Sequence, residues 1–154
     1  MRTLVKYPLE IAVSTILVAL VTVTFAQVVF RYLLQAPLAW SEELARFLLM
    51  WLASLSAAYA FKTRSHFALR FVVDRFNPAV QRAIATLVTF AMAVFLVVFA
   101  YQSLWFTWEV RDMSAAATQI SMAVPYSSAF VGSVLMLYFV IGNWWQDMHP
   151  DQGT

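Results

Sequence analysis

Apolar and polar positions along the chain alternate in four long blocks, each apolar run separated from the next by a short polar connection. Ile11–Phe30 contains no charged residue. About 20 such residues make a helix that crosses roughly 30 Å of hydrocarbon. Phe47–Phe61 is also uncharged, but as a helix it covers only about 22 Å, so it must include the Trp40–Arg46 turn to span. Ala83–Trp108 is longer than a span requires, which predicts tilt or projection beyond the membrane. Val124–Trp145 has ordinary length. None of the blocks shows the strict alternation of a barrel strand, and a backbone in lipid must satisfy its own hydrogen bonds, so helices are predicted. The fold class expected is an all-α membrane protein with four transmembrane helices, at about 10–31, 41–61, 79–108 and 124–145, in a single integral membrane domain over 1–154.

The punctuation between blocks agrees. Pro37 precedes the second span, and Ser41 reads as its N-cap, with Glu42 and Glu43 in the first turn, where the helix dipole favours negative charge. Asn77-Pro78 reads as an N-cap followed by an N1 proline, and Pro125 opens the fourth span. In the middle connection Leu69, Phe71, Val72, Val73 and Phe76 alternate with Arg70, Asp74 and Arg75. That pattern suits a short helix lying in the interface, or an extension of span two or three. The first block has Arg2 and Lys6 before it, as a signal peptide would. Its run is long for that role, and Thr24-Phe25-Ala26 is a poor cleavage site, so it is read as a span.

Composition strengthens this picture. The chain is 62% hydrophobic and 12% charged, against about 25% charged in soluble domains. A chain of this size cannot hide so much apolar surface in its own core. The absence of cysteine excludes disulfides, cysteine–zinc sites and thiol catalysis. The net charge of +2 does not indicate nucleic acid, because the basic residues mark membrane sides. Arg2 and Lys6, then Lys62, Arg64, Arg70, Arg75 and Arg82, flank alternate ends of the spans. The positive-inside rule therefore places both termini and the middle connection in the cytoplasm. Trp40, Trp105, Trp108 and Tyr126 would form an outer aromatic belt, and Tyr7, Tyr59, Trp144 and Trp145 an inner one. Lys62, Arg64, His66, Arg70 and Arg75, with Trp144 and Trp145, are read as interfacial residues that contact lipid headgroups.

The membrane interior lacks transport chemistry. No Asp, Glu, Lys or Arg falls in the middle of spans one, three or four, where ionisable groups would mark an ion path. The glycines are Gly132, Gly142 and Gly153, and no proline is central to a span, so the helices look continuous, unlike those that expose backbone at a midplane site. His66 and His149 lie in polar segments, which removes the axial ligands of a membrane haem. No nucleophile–base pair or metal-ligand spacing occurs. Ser54, Ser56, Thr15, Thr22 and Thr24 read as helix-packing hydroxyls.

One helical stripe stands out. Glu42, Arg46, Met50, Ala53, Ala57 and Ala60 share a narrow face, charged at its outer end and small further in. Ala53-x-x-x-Ala57 and Ser56-x-x-x-Ala60 would admit another backbone. Arg46 can pair with Glu42 or Glu43 along the helix, and Arg31 at the end of span one is a further partner. The face is either a docking surface or a capped helix end at the interface. The residues assigned to a partner interface are Arg31, Trp40, Glu42, Glu43, Arg46, Met50, Ala53, Ala57 and Ala60.

Arg31-Tyr32, Pro37-Leu38 and Trp40-Ser41-Glu42-Glu43-Leu44-Ala45-Arg46, followed by a tryptophan-containing apolar helix and a basic stretch reaching His66, resemble the small membrane subunit (DctQ-type) of tripartite ATP-independent periplasmic (TRAP) transporters. Such subunits serve, for example, sialic acid and C4-dicarboxylate systems. The resemblance implies a non-catalytic scaffold in a bacterial or archaeal inner membrane. It implies a large membrane subunit that holds the solute and sodium sites, and a periplasmic solute-binding protein that delivers an organic acid. No cofactor is expected in this chain, with sodium at the partner subunit. Two other readings stay open on the residues alone. One is a small oligomeric transporter with Glu10 as its coupling group, as small multidrug transporters use a first-helix glutamate. The other is the membrane anchor of a respiratory complex.

Overall fold

The computed structural model describes residues 7–36, 38–63 and 77–148. It contains four helices: α1 (Tyr7–Tyr32), α2 (Ala39–Lys62), α3 (Pro78–Glu109) and α4 (Ala123–Met148). Each is long and apolar enough to cross a membrane. Among the described residues there is no strand beyond an isolated antiparallel bridge between Ser114 and Ser121. The basic middle connection, including Arg64, His66, Arg70 and Arg75 and the stretch expected as an interfacial helix, lies outside the described residues, as does Pro37.

Two helix starts differ from the sequence reading. Ser41 was the expected cap of α2, but the helix begins at Ala39 after an extended Leu38 that makes no side-chain cap bond. Ser41 lies inside the first turn, where its hydroxyl donates to Leu38 O at 2.7 Å and its amide donates to the same carbonyl at 3.2 Å. The hydroxyl bonds to the chain behind it, the opposite direction from a cap. Pro125 likewise sits in the first turn of α4, not at its opening. Proline is tolerated there because first-turn amides have no partner within the helix. Asn77-Pro78 behaves as read: Pro78 is the first residue of α3.

The helices pack in the spatial order α1, α2, α4, α3. α2 and α4 are therefore the inner rods, and α1 and α3 each lean mainly on one neighbour. The burial pattern follows. Among the residues whose burial is described, α1 has none buried and α3 has one, Leu96, whereas α4 buries Pro125, Ser128, Gly132, Ser133 and Val140. These positions recur at helical spacing and form one stripe. Large side chains on the outer rods face away from the protein, with Phe25 69% exposed and Leu87 68% exposed. In water that surface would drive aggregation; in hydrocarbon it is solvated.

The α2–α4 contact is built from small residues. A Cβ placed on Gly132 would lie 2.8 Å from Ser54 Cβ and 3.1 Å from Ser54 O, so the backbones meet there with no space for a methyl group. Ala58 on α2 is fully buried close to this contact in sequence. The buried serines carry no unmet polar group into the interface. Ser128 donates to Pro125 O at 2.6 Å and Ser133 to Phe130 O at 2.7 Å, each on its own helix. Small side chains with internally satisfied hydroxyls allow close helix approach in lipid, where dispersion contacts replace the hydrophobic effect.

Candidate functional site at the Glu43 end of the helices

The polar chemistry lies at the helix ends. At one end, the chain leaves α1 through a short connection in which Gln35 adopts a left-handed conformation (φ 50°) and Ala36 N–H closes onto Phe30 O at 3.0 Å. The chain then enters α2, whose first turns carry Trp40, Glu42 and Glu43. Successive residues on a helix point about 100° apart, so the two glutamates face different neighbours. Glu42 turns toward α1 and accepts from Gln27 Nε2 at 3.3 Å. It also lies 3.9 Å from Arg46, in a loose ion pair with both side chains more than half exposed.

Glu43 faces the other way, toward the connection between α3 and α4. Its carboxylate accepts from Ala117 N–H at 3.0 Å, Thr118 N–H at 2.9 Å and the Thr118 hydroxyl at 3.0 Å. Consecutive amides converging on one carboxylate form a nest for the anion. The rest of that loop is held by its own backbone. Met122 N–H donates to Met113 O at 2.8 Å, and Ala115 N–H to Ile120 O at 2.9 Å. The Ser121 hydroxyl donates to Arg111 O at 2.7 Å. Gln119 has φ 57° and turns the chain at the tip. Ala115 is fully buried, while Met113 is 60% exposed. At the edge of the loop, Arg111 stacks on the Trp108 ring at 4.0 Å and meets Asp112 at 3.4 Å.

The opposite end, around Glu10, carries a second set of contacts. Tyr59 Oη on α2 approaches Glu10 Oε1 on α1 at 3.4 Å. Lys62 Nζ lies over the Tyr59 ring at 5.9 Å. Asn143 Nδ2 on α4 donates to Phe61 O in the last turn of α2 at 2.9 Å, tying the end of α2 to α4. Trp144 is half-buried and Trp145 exposed at this end. Between the two ends, Trp51 Nε1 on α2 donates to Val124 O on α4 at 3.2 Å.

The residues singled out from sequence are thus divided. Glu42 and Arg46 come together as spaced. Glu43 does not join them, because the loop amides take both of its oxygens. Arg31 is exposed and, among the described residues, in no ion pair; Gln27, one turn earlier on α1, reaches Glu42 instead. Trp40 and Ala53 are exposed, and Met50, Ala57 and Ala60 are half-buried. The tight backbone approach within the chain lies elsewhere on α2, at Ser54 against Gly132. Sequence reasoning missed Ala117 and Thr118, because two of their three donors are backbone N–H groups, which every non-proline residue carries, and the third is an ordinary threonine hydroxyl.

Among the described residues no group of three or more histidines, aspartates or glutamates could hold a metal. The carboxylate of Glu43 is saturated by donors, and that of Glu10 sits at a helix end. The arrangement ties helices and one loop together. These features define a multi-pass α-helical membrane protein with four candidate spans. Residues 20–149 match the family described as tripartite ATP-independent periplasmic transporters, DctQ component, and the chain belongs to that family. It is 26% identical over 145 residues to a TRAP transporter small permease protein of Haemophilus influenzae, covering 92% of this chain and 89% of the relative. It is 27% identical over 143 residues to the sialic acid TRAP transporter small permease protein SiaQ of Vibrio cholerae, covering 90% of this chain and 80% of the relative. The chain is a small permease subunit of a transporter.

Proposed function

We propose that this subunit is the non-catalytic scaffold of a sodium-coupled importer that receives organic acids from a soluble binding protein. The observation that carries the reading is the distribution of polar groups. Charges and cross-helix hydrogen bonds sit toward the ends and hold α1 to α2 and α2 to α4. Spans one, three and four have no charged residue in their middle. Sodium and solute sites then belong to a large membrane subunit, which this chain braces. The surface for that subunit includes the exposed or half-exposed residues Arg31, Trp40, Glu42, Arg46, Met50, Ala53, Ala57 and Ala60. A charged pair exposed on α2 next to its apolar run is far cheaper against protein than against lipid.

The Glu43 end faces the periplasm of a bacterial inner membrane in this reading, and both termini are cytoplasmic. The carried solute bears a carboxylate. The test is reconstitution into liposomes of this chain alone, of the large subunit alone, and of the pair with its binding protein. Sodium-driven uptake is expected from the complete set only. Uptake by this chain alone would overturn the scaffold reading, and loss of that uptake in Glu10→Gln would then identify the small-transporter mechanism in its place.

A further inference from the structure

We infer that Glu43 is a positioning residue that fixes the loop between α3 and α4 as a preformed contact surface for the soluble partner. The loop closes on itself through the Met122–Met113 and Ala115–Ile120 backbone bonds and the Ser114–Ser121 bridge. Those bonds hold its two strands of chain together, but they do not fix the 116–118 tip against the helices. The tip is fixed from another element. Glu43, distant in sequence and on α2, takes the amides of Ala117 and Thr118 and the Thr118 hydroxyl. With both oxygens used inside the chain, Glu43 is not offered to a partner, and its role is indirect. What it presents is the outer surface of the loop, where Met113, Ala116, Gln119 and Ile120 are exposed. An ordered surface binds more tightly than a floppy one, because less conformational entropy is lost on contact. The identity of the soluble partner rests on the function proposed above; the latch itself does not.

Two measurements separate these parts. The first is amide hydrogen exchange of the full chain in lipid nanodiscs. Glu43→Gln removes one acceptor oxygen and places an NH2 group against the loop amides. Exchange at Ala117 and Thr118 is expected to rise at least tenfold, while the Met122 amide stays protected. Thr118→Val, which removes only the hydroxyl, is expected to give a smaller rise. Unchanged exchange in Glu43→Gln would overturn the latch. The second measurement is uptake by the reconstituted transporter, titrated with its own solute-loaded binding protein. Glu43→Gln is expected to raise the half-saturating concentration of binding protein several-fold with the maximal rate within about twofold of wild type. A loop that loses protection while half-saturation stays put would overturn the positioning role and leave Glu43 as a structural tie. If the wild-type transporter shows no dependence on a binding protein, the proposed function fails, and the exchange result still decides the latch.

Discussion

Gly132 lies where α4 meets α2 with no room for a side chain. Its absent methyl group would sit 2.8 Å from Ser54 Cβ, inside the range that real contacts avoid. Gly132→Ala is expected to destabilise the helix pair by about 1–3 kcal/mol, the usual cost of overpacking, measured by reversible denaturation in mixed micelles. Ser54→Gly in the same chain should restore part of the loss, because it removes the nearest atom, but not all of it, because Ser54 O remains at 3.1 Å. Full additivity of the two substitutions would show that the two residues are not in contact. At this scale the sequence was least informative. The stripe through Ala53, Ala57 and Ala60 was read from spacing as a docking face, but spacing does not reveal that the tight approach inside the chain falls at Ser54 and Gly132, which depends on where the neighbouring backbone lies. Ser41 misled for a related reason: a serine before an acidic pair fits a cap, and the same hydroxyl can equally donate backward to Leu38 O.

Between elements, the bonds described between the rods lie mostly toward their ends. Asn143 reaches Phe61 O, and its replacement by Leu leaves that carbonyl without the side-chain donor. A loss of about 0.5–2 kcal/mol is expected for an interhelical hydrogen bond in a membrane, read from the same unfolding experiment. Arg46 is a different case. Its pair with Glu42 is loose and exposed, so Arg46→Ala should change the stability of the isolated chain little. If its face meets the large subunit, Arg46→Ala should reduce recovery of the complex in mild detergent more than Arg64→Ala does. Equal recovery from the two variants would remove Arg46 from the interface. The elements themselves were legible because charge disappears over each span and returns at its ends. Their boundaries moved by a few residues where first-turn geometry, at Leu38–Ser41 and Ala123–Pro125, depends on backbone angles that composition does not encode. The partners of Glu43 were illegible, since they are two main-chain amides and one hydroxyl far away in sequence.

For the molecule as a whole, the absence of cysteine makes orientation directly measurable. In Ala116→Cys, at the exposed loop beside Glu43, a membrane-impermeant maleimide should label intact cells. In Thr63→Cys, at the opposite end, labelling should require permeabilisation. The reverse result would invert the membrane orientation and move the binding-protein surface to the other side. The class of fold and the number of spans were readable from the blocks of hydropathy alone. The neighbour relations were not, because four apolar helices of similar length can be arranged in several orders, and only the Ser54–Gly132 approach and the clasps at the ends select one.

That order has a further consequence. In a closed ring of four rods every member would touch two others, and a common axis would be sealed off from the surroundings. Here the two terminal members of the series each have one main flanking companion, so the assembly resembles a fence that offers a broad side to whatever stands alongside. The large subunit of the proposed function could then brace along several uprights at once while the reverse side stays against lipid.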